Sequence, residues 1–219
     1  MRMRPLTLST PKPLLVVAGK PILAHIAEAL PGEVTELILV VGYRGEQIRA
    51  FLGNHFLGRE ITYVEQKQKL GTAHALRLCR DTLNGERFLL LYADDLHDRR
   101  SLNALLAHPR SLLVAEHPEP QRFGVVSLNS DGTIAGIIEK PMRPTSNFVS
   151  TGAMVLDRHI FRYEPELHPS GEYYLTSMFD QMIHGVRVMA VKTTRWFPIA
   201  TPEDLPAAEN FLGAGSIRS

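Results

Sequence analysis

The sequence predicts an α/β fold built on a doubly wound, mostly parallel sheet. Short apolar runs such as ELILVV at 36–41 and FLLLYA at 88–93 alternate with amphipathic stretches, the pattern of strands buried on both faces and joined by crossover helices. The second of these runs ends in Asp94-Asp95, placing two carboxylates where a doubly wound sheet presents its ligands, at the C-terminal ends of its strands. At 219 residues and 44% hydrophobic content, the chain can bury one substantial core. We therefore expect a single domain over 1–212 and a disordered tail over 213–219.

Residues 21–30 start with a proline in a favourable first-turn position and put Ile22, Ile26, Ala29 and Leu30 on one face. They read as a helix ended by Pro31-Gly32. A strand at 36–41 follows, then a helix at 44–52 with Gly53-Asn54 as its stop. Residues 61–65 read as a strand, 72–83 as a helix, 87–93 as a strand and 101–107 as a helix. After that the pattern turns to strands at 111–116, 123–128, 133–139 and 149–156, with Ser130-Asp131-Gly132 as a hairpin turn. Helices resume at 158–163 and 174–184. A strand at 187–192 precedes a last helix from Pro202, with Thr201 as its N-cap.

Composition removes several classes of function. A formal net charge of +1 gives no support for a nucleic-acid binder, so any phosphate binding has to be local. Cys79 is the single cysteine; it allows no internal disulfide or zinc cluster and reads as a small buried apolar side chain. His25, His74 and His184 lack metal-ligand spacing and read as structural. No apolar run reaches membrane-spanning length, no signal-peptide core is visible, and the expected location is the cytoplasm.

The chemistry starts at residues 2–23, RMRPLTLSTPKPLLVVAGKPIL. Four prolines forbid a continuous helix and leave a stiff loop carrying Arg2, Arg4, Lys12 and Lys20. A guanidinium fork and ammonium point charges suit phosphate, although on charge alone a solvated basic N-terminus reads equally well. The order of the residues resembles the signature of the sugar nucleotidyltransferases, or NDP-sugar pyrophosphorylases: an Arg, x-x-P-L-T, P-K-P, then G-K-P and a helix. The glucose-1-phosphate thymidylyl- and uridylyltransferases are the nearest pattern. In that family a strand and a G-G-x-G-T turn precede the Arg, whereas Met1 stands here where the turn should end. The chain is therefore expected to be N-terminally incomplete, slow in turnover and prone to associate through its 36–41 strand, which leaves a homo-oligomer open.

The resemblance continues in order along the chain. Gln66-x-x-x-Leu70-Gly71-Thr72-Ala73 matches a family motif and implies that Gln66 and Gly71, with Thr72 close by, recognise a base, favouring UTP or dTTP. By itself Gly-Thr before a helix would pass for ordinary capping. Asp94 takes the place of the aspartate in the family's N-G-D, with Tyr92 and Ala93 replacing Asn and Gly, and this implies an Mg²⁺ ligand with Asp95 as a neighbour. Gly124, Glu139, Lys140 and Thr151 match sugar-phosphate positions. Trp196-Phe197-Pro198-Ile199-Ala200-Thr201-Pro202-Glu203-Asp204-Leu205 resembles W-x-D-I-G-T-P-E-D-L, but Pro198 stands where the family has its second metal aspartate.

What the resemblance implies is a Rossmann-like sheet with an antiparallel sugar-binding subregion. The implied activity is nucleotidyl transfer from a nucleoside triphosphate to a sugar 1-phosphate, with Arg2 and Lys12 as catalytic cations and Mg²⁺ as cofactor. Two other readings stay open, a catalytically weak binding paralogue and a metal-dependent glycosyltransferase.

Overall fold

The computed structural model describes residues 3–83 and 87–213. Arg2 lies outside the described residues, as does the expected tail from 214 onward, while Gly213 closes the last helix.

Two 3₁₀ turns open the chain, the second, Lys12–Leu14, being set by Pro11 and Pro13. A hairpin of β1 (Val16–Val17) and β2 (Lys20–Pro21) turns over Ala18 and Gly19, both at positive φ. Helix α1 (Ile22–Ala29) buries Ile22, Leu23 and Ile26. Then come β3 (Glu36–Val41), α2 (Gly45–Leu52), β4 (His55–Phe56), β5 (Arg59–Glu65), α3 (Thr72–Leu78), β6 (Arg87–Leu91), β7 (Asp95–His97) and α4 (Arg99–Leu106). The second half contains β8 (Ser111–Glu116), β9 (Gly124–Leu128), β10 (Ile134–Glu139), β11 (Phe148–Asp157), α5 (Leu175–Ile183), β12 (Met189–Lys192), β13 (Trp196–Pro198) and α6 (Asp204–Gly213).

The fold class is the expected α/β one, on mixed sheets. Strands β3 and β5 pair in parallel, with β4 antiparallel at the edge of β5. The larger sheet runs β10-β9-β11-β8-β12, with β6 also paired to β11; in it only β8 and β12 are parallel. Its long central strand, β11, sends Met154 and Leu156 to one layer with α3 and α5, and Ala153 and Val155 to another with α4. Fully burying side chains of this kind contributes about 1.5–3 kcal/mol each, which is why the continuous apolar runs of the sequence become central strands.

Several boundaries differ from expectation. The helix expected over 72–83 stops at Leu78, because Cys79 donates back to Leu76 at 2.9 Å and the chain continues in tight turns to Leu83. The segment expected as a helix at 158–163 is a 3₁₀ turn, Arg158–Arg162, with Asp157 accepting from the His159 N–H at 2.9 Å. The last helix begins at Asp204 rather than Pro202, and Thr201 is not its cap. Instead the Asp204 carboxylate reaches back to the N–H groups of Ala200 and Thr201, both at 2.7 Å. Strands β7 and β13 carried no period that sequence could show, being three residues each; they exist because they pair with one another, Trp196 opposite His97 and Pro198 opposite Asp95.

Candidate active site

The proline-stiffened turn at Lys12–Leu14 carries the Lys12 ammonium to the end of β6. There its Nζ meets Asp94 Oδ2 at 2.7 Å. Asp94 keeps a side-chain exposure of 44%, and its carbonyl accepts from the Ile199 N–H at 3.0 Å, tying the strand end to the 196–199 segment. Asp95, the next residue, turns inward and is buried. Burial first, then the neighbouring Asp94 charge, push its carboxyl well above the usual range against the pull of Lys12 and of the Trp196 indole. That indole N–H lies close without closing a regular hydrogen bond. Two adjacent carboxylates thus have different environments, and Asp94 is the one that faces outward.

Beside them β11 bulges, its register against β8 shifting between Ser150 and Met154, and the bulge re-aims its side chains. Gly152 adopts φ +76°, and a Cβ there would stand 2.6 Å from Tyr92 and 2.7 Å from Asp95. Thr151, matched above to a sugar-phosphate position, is held within the sheet. Fully buried, its hydroxyl donates to the Leu113 carbonyl at 3.1 Å, and its own carbonyl contacts His97 Nε2 at 3.0 Å. Its side chain is a strut in the sheet.

Burial lowers the His97 imidazole from 6.5 to about 4, against the opposing pull of the Thr151 and Asp95 backbone and of Asp98. His97 is therefore neutral in the fold and cationic in the unfolded chain below pH 6.5. The unfolded state then binds the extra proton, so stability is fully present above pH 6.5 and is lost as pH falls toward 4. The loss attributable to His97 is on the order of 3 kcal/mol. Asp95, shifted upward, acts in the opposite sense, so we expect the effect in the difference between parent and His97→Gln on urea unfolding. A difference that stays constant from pH 7 to pH 4 would contradict a buried neutral His97.

Just past the end of β5, Gln66 Nε2 donates to the Gly71 carbonyl at 3.1 Å and sits 2.9 Å from His74 Nδ1. Gly71, at φ +100°, lies against the backbone of Tyr173, where a Cβ would approach the carbonyl oxygen to 2.4 Å. Thr72 accepts from the Leu175 N–H at 2.9 Å. In the larger sheet, Gly124 pairs with Glu139 across β9 and β10. Glu139 accepts from Thr176 Oγ1 at 3.1 Å and pairs with Lys140 at 2.8 Å. Lys140 Nζ also lies 4.2 Å from the Tyr174 ring centroid. Burial works against its charge, but Glu139 and Tyr174 outweigh burial and raise it.

Residues 173–176 are therefore the hub that joins the two sides, and sequence reading missed them. Tyr173 backs Gly71, Leu175 holds Thr72, Tyr174 covers Lys140 and Thr176 holds Glu139. Tyr92 completes the link. Burial raises its phenol first, followed by Glu139, while Thr72 favours the charged form and the Asp95 and Asp94 carboxylates add to the rise. Those causes place it within reach of Thr72, Glu139 and the Asp94 and Asp95 carboxylates together. Thus the expected Lys12, Gln66, Gly71, Thr72, Asp94, Gly124, Glu139 and Lys140 come together around Tyr92 and the hub. Of the histidines read as structural, His25 Nε2 contacts the Val17 carbonyl at 2.8 Å and His74 supports Gln66.

The profile of the Nucleotidyl transferase family matches residues 1–214. The chain is 35% identical over 224 residues to the UTP–glucose-1-phosphate uridylyltransferase AglF of Haloferax volcanii, covering 96% of this chain and 91% of that one. It is 32% identical over 214 residues to the bifunctional protein GlmU of Methanococcus maripaludis, covering 95% of this chain and 51% of the other, so it spans about half the length of that relative. A solved structure titled UDP-glucose pyrophosphorylase complexed with UDP-glucose superposes with a TM-score of 0.84 at 19% identity, covering 97% of this chain and 94% of that one. That likeness shows the fold.

Proposed function

We propose, from the premise that this chain belongs to the nucleotidyl transferase family, that it moves a nucleotidyl group from a nucleoside triphosphate to a sugar 1-phosphate. A sugar-phosphate oxygen attacks the α-phosphorus, the bond to the bridging oxygen of the β-phosphate breaks, and pyrophosphate leaves with its electron pair. No protein nucleophile is needed. The observation that carries the reading is the Lys12–Asp94 pair, which holds a cation and an outward carboxylate at the end of β6. Asp94 and Glu139 both act on the Tyr92 phenol, which supports a reading in which the pair would present a phosphate-binding charge near the Gly124, Glu139 and Lys140 cluster.

Lys12 would stabilise charge on the phosphorane and the leaving pyrophosphate, a role for a preorganised donor. Glu139, held by Thr176 and Lys140, would accept sugar hydroxyls, and Lys140 would meet the sugar phosphate. For Mg²⁺ the donor set is small but fits. Asp94 offers a hard oxygen with Asp95 next to it, Pro198 opposite Asp95 offers none, and this cation commonly takes one or two carboxylates plus substrate phosphates. Bound there, it would neutralise the triphosphate.

UTP and dTTP are the favoured donors, on the resemblance of the Gln66 to Thr72 segment and on the uridylyltransferase relative. The test is pyrophosphate release from UTP, dTTP or GTP with glucose 1-phosphate and Mg²⁺, at protein concentrations that detect slow turnover. Release with none of them would overturn the assignment. Gln66→Ala is expected to raise the KM for the triphosphate by roughly 5- to 150-fold, equivalent to about 1–3 kcal/mol for an unmatched polar contact at a half-buried position. An unchanged ranking of UTP against GTP in that variant would place base recognition elsewhere.

A further inference from the structure

The Lys12–Asp94 pair, closed at 2.7 Å, joins two groups that the proposed reaction sets to different tasks, the ammonium to phosphate and the carboxylate to Mg²⁺. Their main chains are fixed. Leu14 donates to the Pro11 carbonyl at 2.9 Å and Leu15 to the Lys12 carbonyl at 3.0 Å, while the Asp94 carbonyl accepts from Ile199 at 3.0 Å. Opening the pair therefore needs only side-chain rotation, and because both side chains are partly exposed it opens at little cost.

The acids around Asp94 are engaged elsewhere. Asp95 is buried, Asp98 accepts from the Ser101 N–H at 3.3 Å, and Asp204 accepts from the Ala200 and Thr201 N–H groups. Pro198, opposite Asp95, has no donor to offer. Among the described residues no group of three or more His, Cys, Asp or Glu side chains is arranged to hold a metal, so a cation entering here depends on Asp94. Mg²⁺ binds a carboxylate oxygen at about 2.1 Å, and an ammonium on the same carboxylate would then lie within about 5 Å of it, a range at which like charges repel. A triphosphate that reaches a paired Lys12 meets the Asp94 charge in the same way. Each ligand is thus opposed by the partner it does not use.

We infer that the Lys12–Asp94 pair couples the two ligands: a triphosphate draws off Lys12 and frees Asp94 for the cation, and a cation on Asp94 frees Lys12 for the triphosphate. This rests on the phosphate and metal roles proposed for the two residues. The coupling is reciprocal, and the pair bounds its size at about 5-fold in either affinity. Because Pro198 adds no second acid, the whole effect falls on one carboxylate.

The test reads binding alone, with no acceptor sugar present. Mn²⁺ is titrated by electron paramagnetic resonance without nucleotide, and inorganic triphosphate is titrated by calorimetry in EDTA. Lys12→Gln should bind Mn²⁺ about 3- to 5-fold more tightly than the parent, and Asp94→Asn should bind metal-free triphosphate more tightly by a similar factor. Lys20→Gln, which removes an ammonium paired with Glu28 at 2.6 Å, should change Mn²⁺ binding less than about 2-fold at physiological salt. Each gain should vanish when its partner is already replaced, Lys12→Gln on an Asp94→Asn background for Mn²⁺ and the reverse for triphosphate. Equal Mn²⁺ affinity in parent and Lys12→Gln, or gains that persist in the double variant, would overturn the coupling. Equal gains in Lys20→Gln and Lys12→Gln would reduce it to net charge and overturn it as well. Turnover is not read, so failure of the coupling and failure of the proposed reaction are seen separately.

Discussion

Lys12→Ala is expected to lower kcat for nucleotidyl transfer by about 10²- to 10³-fold, the cost of removing one preorganised donor to developing charge. Stability should hardly change. The Lys12–Asp94 pair is partly exposed, at 22% and 44%, and pairs of that kind contribute about 0–1 kcal/mol. Its value in the resting fold is therefore small, while its value to a phosphoryl transition state is large. The measurement is turnover and urea midpoint for parent, Lys12→Ala and Lys12→Arg. A parallel fall in activity and stability would make the lysine a structural group, and unchanged turnover would remove it from the site.

Gly71→Ala should be the most damaging glycine-to-alanine change among the described residues. The residue sits at φ +100°, and its added Cβ would stand 2.4 Å from the Tyr173 carbonyl oxygen and 2.8 Å from its nitrogen, both backbone atoms that cannot rotate away. With ψ at 179° the residue lies in a region open essentially to glycine alone, where strain costs about 1–3 kcal/mol, and the clash adds displacement of the 173–176 hub. We expect a total above about 3 kcal/mol, at the severe end of point substitutions, and higher KM values for both substrates, because the hub holds Thr72 and Glu139 together. Gly132→Ala is the control: φ is +80°, but the nearest atom to its Cβ is the flexible Met189 Cε at 3.7 Å, so only the strain applies. Equal costs at the two sites would refute the packing role given to Gly71.

The site was legible where chemistry is written in consecutive residues. Lys12 in P-K-P, Gln66 to Thr72, Asp94 at a strand end and Glu139-Lys140 could all be named because each local string has its own order. The sequence also supported the strands and helices whose apolar pattern is long enough to show a period, such as β3 and β6. It did not show that the Thr151 hydroxyl turns to the Leu113 carbonyl, because a threonine beside a glycine carries no sign of the bulge in β11.

By itself, then, the sequence determined the alternating α/β order, the family motifs and the residue types available for phosphate, base and sugar. The tertiary structure decided which of them meet. Lys12 reaches Asp94 across 82 positions, Leu175 holds Thr72 across 103, and Thr176 holds Glu139 across 37. It also decided that Asp94 faces outward while Asp95 is buried, and that three-residue strands exist at β7 and β13. Local patterns report the local periodicity of a chain, whereas burial, pairing and charge depend on neighbours that only the folded chain brings within a few ångströms.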